Sequence, residues 1–384
     1  MPRAFRPELA GVPESPLVLI ATEAEATPGA IKLCYGESDM PTPEFICRAA
    51  DEAARAGHTF YTHTAGTPAL RDAIAAKVHA LHGVELRRSE IACTIGASMA
   101  IYLAIRSFVG AGDNAVIVSP AYAIYANGVR MAGGEPRFAP LVRSGARFAF
   151  DLDAVKGAIN ARTRMIVVNS PSNPTGWMIS RDEQRALIEL AQEHDLVLLA
   201  DEVYERLAYG TALAPSFATV ADGYDGLIVV NSFSKTFNMT GWRLGWAQAS
   251  ERTARVMYAA AEFMTSNPNA MTQEAGIVAL RDGDAYVAEL RAHYAARRDQ
   301  VRSALGAIRG LTLPQVDGAF YAFPAVAGLT DSATRAAELL RTANVAVAPG
   351  SAFGPGGEGH LRLCFAASEA TMTEALARLT AVLS

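Results

Sequence analysis

The order of apolar runs along this chain predicts an α/β fold with a mostly parallel central sheet, joined to a smaller α+β domain. Three observations predict it. From about residue 44 to 280, helix-like and strand-like segments alternate, the pattern of βαβ units. The strand candidates are continuous apolar runs, as expected of strands covered on both faces. From about Tyr286 the style changes, to a long helix-like segment followed by shorter strands and a last helix.

The elements follow in order. Residues 44–56 read as a helix with Ala50, Ala53 and Ala54 on one face. Residues 68–82 read as a second, opened by Thr67 as N-cap and Pro68 in the first turn. Residues 97–109 read as a third. Buried strands are expected at 115–118, 165–168, 196–200 and 227–230. Helices at 286–308 and 369–383 complete the chain. The expected division is a large domain over 41–279 and a small one from 1–40 together with 280–384. No internal repeat or low-complexity segment is evident.

The bulk numbers narrow the function classes. The chain has 384 residues, 51% hydrophobic and 19% charged, enough for a large core. Its formal net charge of -5 comes without a basic run. Nucleic acid and anionic membranes are therefore not expected partners. No apolar stretch is long enough to span a bilayer, and Met1 to Arg6 is not followed by the apolar core of a secretory signal. Cys34, Cys47, Cys93 and Cys364 are far apart, in mostly apolar company. Free thiols in a reducing, cytoplasmic compartment are expected. The seven histidines show no metal-ligand spacing and no metal site is expected. His79 and His82 are read as a solvated helix face. Gly354 to Gly359 matches G-x-G-x-x-G, but a strand-like run follows it where the dinucleotide fingerprint needs a helix.

Lys235 carries the most information. It follows the apolar run 227–230 and sits in Asn231-Ser232-Phe233-Ser234-Lys235, with hydroxyls, a glycine and Arg243 close behind. A desolvated lysine beside a cation loses part of its preference for charge, and its neutral amine then attacks carbonyls. Pyridoxal phosphate (PLP) is the cofactor that most often uses such a Schiff-base lysine. A polar loop after a strand is the plain alternative.

Other candidates stand at the ends of the other strands, where ligands of open α/β sheets gather. Asp201, after 196–200, is suited to pair with a pyridine nitrogen and keep it protonated. Tyr204 is suited to hydrogen-bond the ring's phenolic oxygen, as is Asn173 in Asn173-Pro174-Thr175-Gly176. Gly96, Ala97 and Ser98 open a helix whose N–H groups suit a phosphate. Ser232 and Arg243 would complete the phosphate cup, the arginine as a bidentate clamp. Tyr122, after 115–118, is placed to stack on a flat ring. Arg362 lies in an apolar strand candidate and needs an anionic partner: a substrate α-carboxylate, or a structural Asp or Glu. Read singly, these are equally turns, helix caps and core aromatics.

Together they resemble the class I and II aminotransferases, the fold-type I PLP enzymes. The resemblance covers almost the whole chain in family order: Tyr61 to Gly66 with Leu70-Arg71, Gly96-Ala97-Ser98, Asn173 to Gly176, Asp201 to Glu205, Ser232 to Arg243, Gly318 to Tyr321, and Arg362. It implies a homodimer with shared active sites, in which Tyr61 reaches the phosphate of the partner's cofactor. It implies that Gly36 lies near the substrate carboxylate and that Tyr122 is the stacking ring. It implies ping-pong transfer of an amino group from an amino acid to a 2-oxo acid, with Lys235 as general base and acid. There are departures. Ser38 stands where family members often have proline. The dicarboxylate-specific branch resembles Thr265 to Pro268, yet has an arginine shortly before it where this chain reads Ala261-Glu262-Phe263-Met264. The alternatives are a β-lyase, an elimination enzyme or a decarboxylase on the same scaffold, and, less favoured, a non-catalytic sensor domain. The last would need a basic helix-turn-helix segment, which the sequence does not show.

Overall fold

A computed structural model describes residues 5–383. Residues 1–4, part of the N-terminal stretch read above for a secretory signal, lie outside the described residues.

The centre is a seven-stranded sheet of β1 (Ile91–Thr94), β2 (Asn114–Ser119), β3 (Glu135–Pro140), β4 (Thr163–Asn169), β5 (Val197–Asp201), β6 (Leu227–Ser232) and β7 (Gly245–Gln248), in spatial order β1-β7-β6-β5-β4-β2-β3. Every neighbouring pair is parallel except the two made by β7. The strands are buried on both faces, as their unbroken apolar runs predict. Val116, Val118, Ile166, Val168 and Leu198 join one core cluster. Ala115, Ile117, Met165, Val167 and Leu199 join another on the opposite face. The alternation is the period of two that sends successive side chains to opposite sides.

Four helices before and between the strands position the site: α1 (Pro16–Ala26), α2 (Glu44–Arg55), α3 (Pro68–His82) and α4 (Ala97–Phe108). The hydroxyl of Thr67 caps α3 by accepting from the Leu70 N–H, and Gly83 closes it in the left-handed conformation. Later helices run over Asp284–Gly306 and Glu369–Leu383. Between them β8 (Tyr321–Ala322), β9 (Ala348–Pro349) and β10 (Leu361–Cys364) form a three-stranded antiparallel sheet, β10 in the middle. Ile31–Lys32 pairs in parallel with Val345–Ala346, which ties the N-terminal segment to this part of the chain. The Gly354–Gly359 loop leads into β10, with no helix after it.

Three details differ from the sequence reading. The helix expected at 286–308 occupies Asp284–Gly306. β1, β3 and β7 carry too few consecutive apolar residues to stand out, and were not expected. The reading of His82 as part of a solvated face is wrong. Its side chain is 5% exposed and its Nε2 lies 2.8 Å from Glu205 Oε2. His82 ends α3 on the side that packs toward the segment after β5, where a buried carboxylate needs a partner. His79 does face solvent, beside Glu85. No described helix is long and apolar enough to cross a membrane.

Candidate active site

The carboxyl ends of β2, β4, β5 and β6 open on one cavity of about 320 Å³. Strand β7 contributes to the same rim because it runs the other way. Its first residue, Gly245, pairs with Ser232 and with Thr94, the last residues of β6 and β1. Arg243, two residues before β7, therefore arrives at the edge where the parallel strands end.

Lys235 lies one turn beyond β6 and is half-buried against the cavity. Its Nζ donates to the Gly36 carbonyl at 2.5 Å. Burial above all, with Arg362 and Arg243 adding to it against Cys364 and Glu37, brings its pKa down to about 8. A fraction of neutral amine near neutral pH is what a nucleophilic lysine requires.

Asp201, the last residue of β5, is 4% exposed. Its Oδ2 accepts from the Tyr125 hydroxyl at 2.7 Å and its Oδ1 from the Val203 N–H at 3.2 Å. Burial nevertheless raises its pKa to about 6. A buried carboxylate held only by neutral donors is suited to a cationic N–H presented from the cavity. Arg362 is the converse. It is 1% exposed, its Nη1 donates to Asn173 Oδ1 at 3.2 Å, and its Nη2 donates to the Cys34 carbonyl. Its Nε has no partner. The guanidinium lies 4.7 Å from the Tyr321 ring and 5.1 Å from that of Phe353. The structural alternative for Arg362, a buried Asp or Glu as partner, is not what these bonds show. The cation is oriented by neutral acceptors and aromatic faces, and it borders the cavity.

The phosphate-cup residues share one corner. Gly96 is the N-cap of α4 at φ +83, and a Cβ there would run into the Arg243 guanidinium. A Cβ at Gly245 would come within 2.7 Å of the Ala97 nitrogen. Two glycines thus let an arginine and a helix N-terminus approach one spot, with Ser98 and Ser232 on the same wall. Ser232 Oγ accepts from the Ser234 N–H at 3.0 Å and stands 2.9 Å from Ser234 Oγ. Tyr204 and Tyr321 join their hydroxyls at 2.7 Å. The Asn173 N–H donates to Asn169 Oδ1 at 2.7 Å, which fixes the turn after β4. Tyr122 is 38% exposed and stands edge-on to Tyr125.

The structure therefore gathers Gly36, Ala97, Ser98, Tyr122, Asn173, Asp201, Tyr204, Ser232, Lys235, Arg243 and Arg362 around one cavity, with Gly96 packed behind Arg243. Tyr61 is not among them. It is 88% exposed and borders a separate depression with Phe60 and Met271. The sequence reading missed Tyr125, Asn169 and Ser234 and gave Tyr321 no role. Ser234 and Asn169 were within reach, one beside the lysine and the other ending a strand. Tyr125 sits inside a helix and carries no sequence signal. The fit to a phosphorylated pyridine aldehyde rests on this donor set around one cavity: an anion corner, a buried carboxylate bonded only by neutral donors, and an amine of lowered pKa.

Comparison with known proteins agrees with that geometry. The sequence profile of aminotransferase class I and II matches residues 28–379. Aspartate aminotransferase of Pyrococcus horikoshii is 35% identical over 352 residues, covering 91% of this chain and 89% of that protein. Aromatic-amino-acid aminotransferase 2 of Thermococcus litoralis is 35% identical over 364 residues, covering 94% and 93%. The structure of aspartate aminotransferase from Thermus thermophilus with maleate superposes with a TM-score of 0.92 at 34% identity, covering 99% of this chain and 100% of that one. The chain belongs to the class I and II aminotransferases.

Proposed function

We propose that the chain uses PLP to move an amino group between an α-amino acid and a 2-oxo acid in two half-reactions. The observation that carries this reading is the pairing, in one cavity, of an amine of lowered pKa with a buried guanidinium that has no carboxylate of its own. When bound, the cofactor supplies an electron sink for the electrons of the broken Cα–H bond. The residues do the rest. Arg362 holds the substrate α-carboxylate in its fork. Lys235 Nζ takes the α-proton and returns it nearby as general base and acid. Asp201 keeps the pyridine nitrogen protonated, and Tyr125 keeps Asp201 in place. Tyr204 and Asn173 serve the phenolic oxygen, and Tyr122 stacks on the ring. The backbone of Gly96 and Ala97, with Ser98, Ser232 and Arg243, holds the phosphate.

The proposed assembly is a homodimer in which Tyr61 reaches the partner's phosphate group. Phe60 and Tyr61, which border one depression, are each more than 80% exposed, a surface that a second copy would cover. The proposed division is a large domain over 41–279 and a small one from 1–40 and 280–384, supported by the pairing of Ile31–Lys32 with Val345–Ala346. Four unpaired cysteines favour the cytoplasm.

The test is a single half-reaction. PLP-loaded protein is mixed with one amino acid and no acceptor, and absorbance, 2-oxo acid and ammonia are followed. One equivalent of 2-oxo acid without ammonia is expected, and borohydride treatment of the resting protein fixes the cofactor on the Lys235 peptide. Ammonia release, or a label on another lysine, overturns the reading.

A further inference from the structure

Lys235 lies in a single helical turn, Phe233–Thr236, and just beyond it the backbone bends through Asn238 at φ +51. Asparagine is among the few side chains that accept this left-handed conformation, and here its amide is put to use. Its Nδ2 donates to the Tyr286 hydroxyl at 2.9 Å, and its Oδ1 accepts from the Tyr294 hydroxyl at 3.1 Å. Both tyrosines stand on the helix Asp284–Gly306, about two turns apart. The N-cap of that helix, Gly283, packs on the Phe237 ring so closely that a Cβ there would lie 2.5 Å from it.

The Asn238 carbonyl has a partner of its own. It accepts from the Thr42 hydroxyl at 2.6 Å, and the same hydroxyl accepts from the Trp242 indole N–H at 2.9 Å. The loop between Lys235 and Arg243 is therefore pinned at its middle to the helix, and at its middle and far end to Thr42. Tyr294 also reaches the lysine by a second route. It is fully buried, and its ring meets that of Phe320 edge-on at 5.5 Å. The Lys235 Nζ stands 5.8 Å from the centroid of the Phe320 ring. One tyrosine thus supports the lysine's main chain through Asn238 and the floor under its amine through Phe320.

A lysine head sits on a flexible four-carbon stem, so its position is set by its backbone and by the surfaces along which the stem lies. Proton transfer depends steeply on that position. We infer that Asn238 is a positioning residue for the proton transfer at Lys235, an inference that rests on the functional reading above. Through Tyr286 and Tyr294 it fixes the lysine's turn to the helix Asp284–Gly306, so that Nζ returns to one place above Phe320. Asn238 itself touches neither substrate nor cofactor in this role.

The experiment follows single half-reactions of the PLP-loaded enzyme, with one amino acid and with the same amino acid deuterated at Cα, and hydrogen exchange of the apoprotein. Asn238→Gly removes the amide and keeps the left-handed backbone. The double variant Tyr286→Phe/Tyr294→Phe removes the two partners and keeps their rings. In Asn238→Gly the maximal rate should fall about tenfold or more while the half-saturating donor concentration stays within about twofold, since Arg362 is untouched. The isotope effect should rise as proton transfer becomes more rate-limiting, and residues 233–243 of the apoprotein should exchange faster. The tyrosine variant should show the same changes. The triple variant should lose no more than Asn238→Gly alone, as expected of residues that act as one unit. A bond that serves stability only would lower the denaturant midpoint and leave the isotope effect in place. An unchanged maximal rate or isotope effect in folded Asn238→Gly, or losses that multiply in the triple variant, overturns the inference. Should Asn238→Gly fail to fold, the tyrosine variant decides by the same readings. A wild-type enzyme that converts no donor would sink the functional reading and with it the role in proton transfer, whereas faster exchange at 233–243 in the variants would still show the tether.

Discussion

The Tyr125 hydroxyl donates to Asp201 Oδ2 across 2.7 Å, and both side chains are buried. This bond opposes the rise in carboxyl pKa that burial imposes on Asp201. It joins the helix after β2 to the end of β5, so it holds the carboxylate in place as well as in its charged form. Tyr125→Phe removes the donor and leaves the ring. The Asp201 pKa should then rise, and the acid limb of the kcat/KM profile should move to higher pH. A net hydrogen bond of about 1 kcal/mol corresponds to a move of roughly 0.7 pH unit, which is a loss of roughly fivefold on the acid limb and less than about twofold at neutral pH. A pH profile is the measurement. An acid limb that stays in place would show that Tyr125 acts on packing alone.

Lys235 gives a second pH prediction, with its sign fixed by the attacking species. Only the neutral amine attacks the cofactor aldehyde. Burial first, with Arg362 and Arg243 adding to it, brings the ammonium down to about 8. The rate at which apoprotein captures PLP should rise about tenfold per pH unit below pH 8 and level off above it, whereas an ordinary lysine at about 10.4 would still be gaining at pH 10. Stopped-flow absorbance against pH reads this directly. A rate still climbing at pH 10 would mean that Lys235 keeps an ordinary pKa.

How far the sequence foretold this architecture depends on the kind of signal each element carries. Pro68–His82 was legible to the residue because Thr67, Pro68 and Gly83 mark both ends chemically. Strands β2, β4, β5 and β6 were legible because parallel strands covered on both faces must be apolar throughout. Strand β7 was not, since Gly-Trp-Ala-Gln has no such run and owes its place to the pairing with β1 and β6. In the site, Lys235, Asp201 and Asn173 could be read from their positions at strand ends. Tyr125 could not, because only the order of strands in space carries its helix to Asp201. His82 was misread for the same reason: the sequence shows a histidine at a helix end, and only the fold brings Glu205 to it, 123 positions away.

That His82–Glu205 pair supports a stability prediction. Burial of the imidazole works against its charge, but the bond to Glu205 and the carboxylates of Glu205 and Glu202 outweigh it, so the His82 pKa is raised. A raised folded-state pKa means the charge-dependent stability is fully present below the unfolded value of about 6.5, and is lost as pH rises through the folded value. His82→Gln keeps a donor for Glu205 and removes the charge. Its deficit should be about 1 kcal/mol, the difference between a charged and a neutral hydrogen bond. Denaturant midpoints at pH 6 and pH 9 should show a larger deficit at pH 6. A deficit that grows with pH would mean that the imidazole is neutral in the folded protein.

Arg362 separates substrate binding from cofactor binding. Its guanidinium is held by Asn173 and the Cys34 carbonyl and lies against Tyr321 and Phe353, with no bond to Gly96, Ser232 or Arg243. Arg362→Lys keeps a positive charge but loses the planar fork and its stacking on two rings, so the exchange is not conservative here. The variant should bind PLP with an unchanged resting spectrum, since no phosphate or ring contact is removed. Its kcat/KM should fall for every α-amino acid by a similar factor, because the α-carboxylate is the group they share. A bidentate charged pair reduced to a single contact loses about 1.5–3 kcal/mol, or roughly 10- to 150-fold. The comparison across donors decides the matter. Loss of PLP would make Arg362 part of the cofactor's support. A loss confined to one donor class would make it a reader of side chains, and the α-carboxylate would then fall to Asn173 and the backbone at Gly36.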